Sequence, residues 1–370
     1  MAAITLENVS KTYANNVEAV RSISFEVKNG EFVALLGPSG CGKSSTMRMI
    51  AGLEEITGGT IYFDGRPVND LRPRDRKVAM AFETYALYPT LTVYENLAFP
   101  LRSAGWSQAQ VDAKVQEFAR LLELTRLLDR MPGELSGGQA QRIGLARALV
   151  REPSVFLLDE PISHLDTRQR FRMRQIIKRL HLEKGYTMIY VTHDQEEAMA
   201  MADRIVVMHE GVIRQIGTSA EIYREPADDF VAGFVGEPPM NFLEGSPAQQ
   251  NGTWMFRSGD RQFPFPGWLQ PQGAKLPAAL KMGIRPYDVN VCLDSNAPCD
   301  AKGEVFVCEN MCDYSIVTVD MADVRFQAVT PSSFSASRHQ PVSLKFDPTF
   351  MRFFDKATGK AIQKLGSLHK

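Results

Sequence analysis

Phe32-Val33-Ala34-Leu35-Leu36-Gly37-Pro38-Ser39-Gly40-Cys41-Gly42-Lys43-Ser44 is the stretch on which the reading turns. An unbroken apolar run of this length, followed at once by a turn signal, reads as a strand buried on both faces. The residues from Gly37 to Ser44 match G-x-x-x-x-G-K-[ST] completely. Glycines there let the backbone turn so that successive N–H groups point inward, making a concavity for phosphate oxygens. A helix is expected from Lys43 to Ala51, with its positive end on the same anion and Gly52 as its stop. Lys43 is then in reach of the β- and γ-phosphates of a nucleotide, and the Ser44 hydroxyl of Mg2+. The bland alternative is a glycine-rich turn without a ligand; the strand before it and the helix after it favour the phosphate reading.

Two further buried-strand runs extend this picture. Val155-Phe156-Leu157-Leu158 ends in Asp159-Glu160, and Tyr186-Thr187-Met188-Ile189-Tyr190-Val191-Thr192 ends in His193. Polar residues at the carboxyl ends of buried strands fit the ligand crevice of an open α/β sheet. Asp159 is expected to hold the Mg2+ shell, and Glu160 to act as general base or to orient an attacking water. His193 reads as a donor to the γ-phosphate. The bland readings are an acidic strand end and a structural histidine.

Composition limits the rest. The chain has 370 residues and a formal net charge of −1, enough for two or three domains and without the basic excess of a nucleic-acid binder. No run approaches the roughly 20 apolar residues of a membrane-spanning helix. The opening Met1-Ala2-Ala3-Ile4 lacks a signal-peptide pattern and reads as an edge strand. Five scattered cysteines suggest a reducing compartment. Cys308 and Cys312 lack a second pair or a histidine cluster, so a metal site there is not expected. A cytoplasmic protein is therefore expected, with any membrane role exercised through a partner.

Residues 1–235 alternate strand and helix patterns, as in a mainly parallel α/β sheet, with a helical insert over about 88–150. Val111, Val115, Phe118 and Leu122 share one helical face, and Ser107 with Gln110 forms a capping box for that helix. Beyond Gly236-Glu237-Pro238-Pro239 proline and glycine rise. Alternation in Val342, Leu344 and Phe346, and around Tyr314–Val319, then suggests a small β-barrel-like domain over 236–370.

Leu135-Ser136-Gly137-Gly138-Gln139 resembles the signature of ATP-binding cassette (ABC) proteins, and it offers a second anion nest at a helix start. The resemblance implies that Ser136, Gly137, Gly138 and Gln139 close over ATP held by a second protomer, in a head-to-tail dimer. It also implies an ATP cradle of Gly37, Pro38, Ser39, Gly40, Cys41, Gly42, Lys43, Ser44 and Ser45, with Tyr13 stacking on adenine and Asp166 at the dimer interface. His164 stands where the family more often has Asn or Ala. Tyr85–Pro89, Leu91–Asn96, Phe230–Val235, Pro239–Phe242, Gly283–Pro286 and Phe353–Asp355 with Thr358-Gly359 resemble the carbohydrate-importer ATPases related to the maltose system. That narrower likeness covers essentially the whole chain. It implies an ATPase at the cytoplasmic face of the inner membrane, two permease subunits received at 85–89, and an extracytoplasmic solute-binding protein. It further implies a C-terminal regulatory domain of oligonucleotide-binding-like strands. The cargo is expected to be a carbohydrate or polyol; an oxyanion or polyamine importer is the nearest alternative, and a soluble non-transport cassette ATPase a distant one.

Two positions depart from the family. Glu83 stands where the family has a glutamine that touches Mg2+ and the attacking water. A third carboxylate beside Asp159 and Glu160 could ligate Mg2+ itself, or be raised in pKa by its like-charged neighbours. Glu83 reads either as a tolerated near-isostere or as the mark of a heteromeric ATPase pair; homodimer and heterodimer both stay open. Tyr287 stands where an acid is usual, so the regulatory contacts of that domain are expected to differ from the family's.

Overall fold

In the computed structural model, which describes residues 2–82, 86–151, 153–294, 299–321 and 324–363, the apolar run becomes the strand at the centre of the argument. The first unit contains strands β1 (Ile4–Thr12), β2 (Glu18–Val27), β3 (Phe32–Leu36), β4 (Gly58–Phe63), β5 (Arg66–Pro67), β6 (Val78–Ala81), β7 (Val155–Asp159), β8 (Thr187–Thr192), β9 (Arg204–His209) and β10 (Val212–Gly217). Its helices are α1 (Lys43–Ala51), α2 (Val93–Ser103), α3 (Gln108–Leu121), α4 (Gly137–Leu149), α5 (Thr167–Lys184) and α6 (Gln195–Met201).

A six-stranded sheet runs in the order β10-β9-β3-β8-β7-β6, with β9, β3, β8, β7 and β6 parallel and β10 antiparallel at one edge. Period-two alternation then sorts the side chains. Phe32, Phe156, Leu158, Met188 and Tyr190 pack with α2, α3, α4 and α5 on one face. Val33, Leu35, Val155, Leu157, Ile189 and Val191 pack with α1 and the second sheet on the other. A parallel sheet covered on both faces needs unbroken apolar strands, which is why β3, β7 and β8 read as continuous runs.

The second sheet, β2-β1-β4-β5, is antiparallel. Here the edge-strand expectation fails. β1 lies between β2 and β4, paired on both sides, because Ile4, Leu6 and Val9 are fully buried and need cover that an edge position does not give.

The helical insert matches its pattern: Val111, Val115, Phe118 and Leu122 are buried in one cluster. Ser107 N–H donates to Gln110 Oε1 at 3.0 Å, closing one half of the expected box.

By packing, the chain divides into Met1–Ser219 and Ala220–Lys370. Two short helices, α7 (Ser219–Arg224) and α8 (Asp229–Phe234), lie at the start of the second unit, which therefore begins earlier than the composition change at 236. The rest of that unit is β11 (Asn241–Gln250), β12 (Thr253–Ser258), β13 (Arg261–Pro264), β14 (Leu280–Ile284), β15 (Val289–Cys292), β16 (Ala301–Asn310), β17 (Tyr314–Asp320), β18 (Arg325–Pro331), β19 (Pro341–Phe346) and β20 (Arg352–Asp355). They form two antiparallel sheets, β13-β12-β11-β14-β20 and β15-β19-β16-β17-β18. Both enclose one core rich in phenylalanine, including Phe256, Phe263, Phe326, Phe346 and Phe353. β15 also approaches β18, which nearly closes the second sheet into the barrel expected of oligonucleotide-binding-like strands. The Asn241 side chain stitches the two sheets together, donating to the Gln327 carbonyl at 2.8 Å and accepting from Gln327 N–H at 2.7 Å.

Candidate functional site

Register sets the site. β8 sits between β3 and β7, with Leu36 paired to Thr192 and Asp159 to Val191. The three carboxyl ends therefore finish level, and the loop from Gly37, the pair Asp159-Glu160, and His193 emerge side by side.

In the loop Gly40 and Gly42 adopt φ of 79° and 103°, conformations that glycine alone takes without strain. A Cβ on Gly37 would overlap the Met208 carbonyl oxygen, and one on Gly42 that of Ala19. The helix follows as expected: α1 spans Lys43–Ala51, and Gly52 ends it at φ 75°. Lys43 is 6% exposed, and its Nζ donates to the Gly37 and Pro38 carbonyls at 2.8 Å each. Cys41 is buried beside it, and burial pushes its thiol upward.

Alternation along β7 puts Asp159 on the same face as Val155 and Leu157, which is the α1 side. There Ser44 Oγ donates to Asp159 Oδ1 at 3.2 Å, and Asp159 is 4% exposed. A hydroxyl and a carboxylate are hard oxygen donors of the type Mg2+ prefers. Glu160 comes next, at φ 45°, a left-handed conformation uncommon outside glycine and often found at working sites. Its N–H donates to the Val191 carbonyl at 3.0 Å, and its Oε1 meets His193 Nδ1 at 2.9 Å. The Tyr13 hydroxyl lies 3.0 Å from Ser45 Oγ, and Lys11 Nζ stands 4.9 Å over the Tyr13 ring. Glu83, like Tyr85, lies outside the described residues.

The Ser136–Gln139 segment opens α4 with a reciprocal cap. Ser136 N–H donates to Gln139 Oε1 at 2.9 Å, and Gln139 N–H to Ser136 Oγ at 3.3 Å. Among the described residues no hydrogen bond joins this segment to the Gly37–Ser45 loop of the same chain. It lies instead against the 163–166 loop, where a Cβ on Gly138 would sit 3.0 Å from Leu165 Cδ2. Asp166 caps α5, its Oδ1 accepting from Gln169 N–H at 2.8 Å.

Sequence reasoning overlooked the braces behind these groups. Gln141 on α4 is buried; its Nε2 donates to the Glu160 carbonyl at 3.1 Å, and its Oε1 accepts from His164 N–H at 3.1 Å. Glu197 on α6 accepts from the Tyr190 and Thr192 hydroxyls at 2.8 and 2.9 Å. Burial raises its carboxyl above the ordinary 4.5 despite those bonds. A glutamine or glutamate on a helix reads as a surface residue unless the facing element is known, so no local signal marked either.

Residues 20–163 match the family described as ABC transporter. The chain is 42% identical to the sn-glycerol-3-phosphate import ATP-binding protein UgpC of Cupriavidus pinatubonensis, over 98% of this chain and 100% of that protein. It is 44% identical to the trehalose/maltose import ATP-binding protein MalK of Thermococcus litoralis, over 98% of this chain and 100% of that one. Among solved structures, a dimeric post-hydrolysis state of an ATP-binding cassette bound to ADP and Pi matches with a TM-score of 0.55 and 33% identity. The match covers 58% of this chain and 98% of that one.

Proposed function

This chain belongs to the import ATP-binding proteins of ABC transporters, and from that premise we propose how its residues bind and hydrolyse ATP to drive uptake of a carbohydrate or polyol. One observation carries the reading. The Gly37–Ser45 loop, Asp159-Glu160 and His193 leave three adjacent parallel strands at one level, which supports a common role for the glycine-rich loop, the two carboxylates and the imidazole.

The backbone N–H groups of Gly40 to Ser45 cradle the phosphates at the start of α1. Lys43 exchanges the Gly37 and Pro38 carbonyls for phosphate oxygens, an exchange of partners within a loop already hinged on glycines. Ser44 and Asp159 hold Mg2+, with Glu83 as a third oxygen ligand or a water-orienting group. When bound, that ion supplies charge neutralisation at the phosphates. Glu160 takes the proton of the attacking water as oxygen adds to the γ-phosphorus and the bond to ADP breaks. His193 orients the Glu160 carboxylate through their 2.9 Å contact and turns its exposed ring toward the γ-phosphate. Tyr13, fixed through Ser45, stacks on adenine.

Ser136–Gln139 closes over the γ-phosphate of a second protomer, with Asp166 and its loop at that interface. The fixed N-terminal cap of α4 supports this, because it presents backbone donors without needing its own chain's loop. Two permeases receive the protomers near 85–89, and an extracytoplasmic solute-binding protein acts through them. Residues 236–370 serve as the regulatory and dimer-holding part. Location at the cytoplasmic face of the inner membrane follows from those partners; among the described residues no helix is long and apolar enough to cross a membrane. Relatives that import sn-glycerol-3-phosphate and trehalose/maltose support a carbohydrate or polyol cargo.

Glu160→Gln is the direct test. ATP affinity is expected to persist while turnover falls about 10³-fold, the middle of the range for losing a general base. A variant that hydrolyses ATP at the normal rate, or a parent chain with no Mg2+-dependent ATP affinity, would sink the assignment. The cargo is tested separately, by asking which solute-loaded binding protein stimulates the ATPase of the assembled transporter.

A further inference from the structure

Helix α5 carries three cations at one-turn spacing, and each faces an acid in or beside α6. Arg170 lies 3.8 Å from Asp194, Arg174 3.5 Å from Glu196, and Lys178 3.1 Å from Asp203. Residues four apart share a helix face, so the three form a ladder that holds α6 against α5. The first rung does something the others do not. Arg170 Nε donates to the Leu165 carbonyl at 3.0 Å, and Nη2 donates to the Ser163 carbonyl at 3.0 Å. Its Nη1 faces Asp194, the residue directly after His193. One guanidinium therefore spans two loops, the 163–166 loop and the loop that carries His193. Its planar fork of donors is what permits this.

We propose that Arg170 is a positioning residue for ATP hydrolysis. It fixes the backbone of the 163–166 loop relative to His193, so that the imidazole meets the Glu160 carboxylate in one orientation. The proposal rests on the reading of Glu160 and His193 given above. The Asp194 contact is long and the arginine side chain is 40% exposed, so that ion pair contributes little on its own. The two carbonyl bonds are the constraint, and Gln141 supports the same loop by accepting from His164 N–H at 3.1 Å.

Arg174 and Lys178 are the internal control. Both tie α6 to α5, and Lys178 also donates to the Met201 carbonyl at 2.8 Å; among the described residues no hydrogen bond or ion pair joins either to the 163–166 loop. The experiment compares Arg170→Met, Arg174→Met and Lys178→Met in the full chain, reading kcat, ATP affinity and thermal midpoint. Arg170→Met is expected to lower kcat about 10-fold with ATP affinity within about twofold, since small displacements of a catalytic group cost rate more than binding. The other two variants should keep kcat within about twofold, as their partners, Glu196, Asp203 and the Met201 carbonyl, lie outside the loops that carry Glu160 and His193. Arg170→Lys retains the charge but has no fork to span two carbonyls, so it should recover less than half of the lost rate. Equal kcat losses for all three rungs would reduce Arg170 to packing and overturn the proposal. So would a normal kcat in Arg170→Lys, which also decides the matter if Arg170→Met does not fold. If the unaltered chain shows no Mg2+-dependent hydrolysis, or Glu160→Gln leaves hydrolysis intact, the site reading falls and this proposal falls with it.

Discussion

Lys43 in the first unit and Arg285 in the second are both buried cations bonded to backbone carbonyls, at 6% and 3% exposure. Lys43 draws its partners, Gly37 and Pro38, from the loop that it closes. Arg285 draws its partners from a different segment: Tyr223 at 2.8 Å, Ala232 at 2.9 Å, and Val235. It also stacks over the Tyr223 ring at 4.2 Å, and burial pulls its guanidinium down to about 10. The Ala232 and Val235 carbonyls belong to the last turn of α8 and the residue that ends it, where the helix itself offers no donors. On the proposed function, phosphate oxygens take the place of the partners of Lys43, which both lie in its own loop. Nothing can replace Arg285 without orphaning a helix end. A buried charge is available for function where its partners are exchangeable, and it is structural where they are built in.

Four substitutions probe that distinction, the largest effect first. Arg285→Met should destabilise the second unit by about 3–5 kcal/mol, since it leaves three backbone carbonyls without their donor at about 1–3 kcal/mol each. Denaturant unfolding followed by the phenylalanine-rich core measures this, and ATP affinity should stay normal; a stable variant that has lost ATP would invert the comparison. Lys43→Ala should do the opposite, lowering kcat/KM about 100-fold, or about 2.7 kcal/mol of transition-state stabilisation. Its unfolding midpoint should move less than that of Arg285→Met, and phosphate release with a parallel melt checks both.

Glu83→Gln restores the residue usual in the family. On the near-isostere reading the ATPase rate of the assembled transporter changes by less than about threefold, a barrier change under about 1 kcal/mol. A larger change favours the heteromeric pair.

Glu197→Gln has the smallest expected effect. Its carboxyl is raised from the ordinary 4.5, so the folded state holds that proton more tightly than the unfolded chain. Its favourable contribution is complete below 4.5 and is lost as pH rises through the raised folded value. The amide has no such loss. The variant should therefore match the parent near pH 4 and be slightly more stable than it at pH 7, read from denaturant midpoints at the two pH values.

Most of the phosphate loop was legible because its signals are local. Glycines with positive φ, a strand before and a helix after are all written within the span from Phe32 to Gly52. The amphipathic face of α3 was legible for the same reason, since helical period and capping act over a few residues. The placement of β1 was not. Its sequence says strand, but whether one or both sides are paired depends on β4, which lies some fifty residues away. Gln141, Arg170 and Glu197 were likewise invisible, because a polar residue on a helix reveals its partner only when the facing loop is known.

What the sequence by itself determined was the inventory: a glycine-rich loop between strand and helix, two acids and a histidine at strand ends, a second glycine-rich helix start, and an all-β C-terminal part. Only the tertiary structure decided that β8 lies between β3 and β7 and that all three end level, which brings separate motifs side by side. The physical reason is range. Backbone conformation follows from neighbours in the chain, whereas strand order and the partner of a buried charge follow from how whole faces pack, a sum over distant residues that no single segment carries.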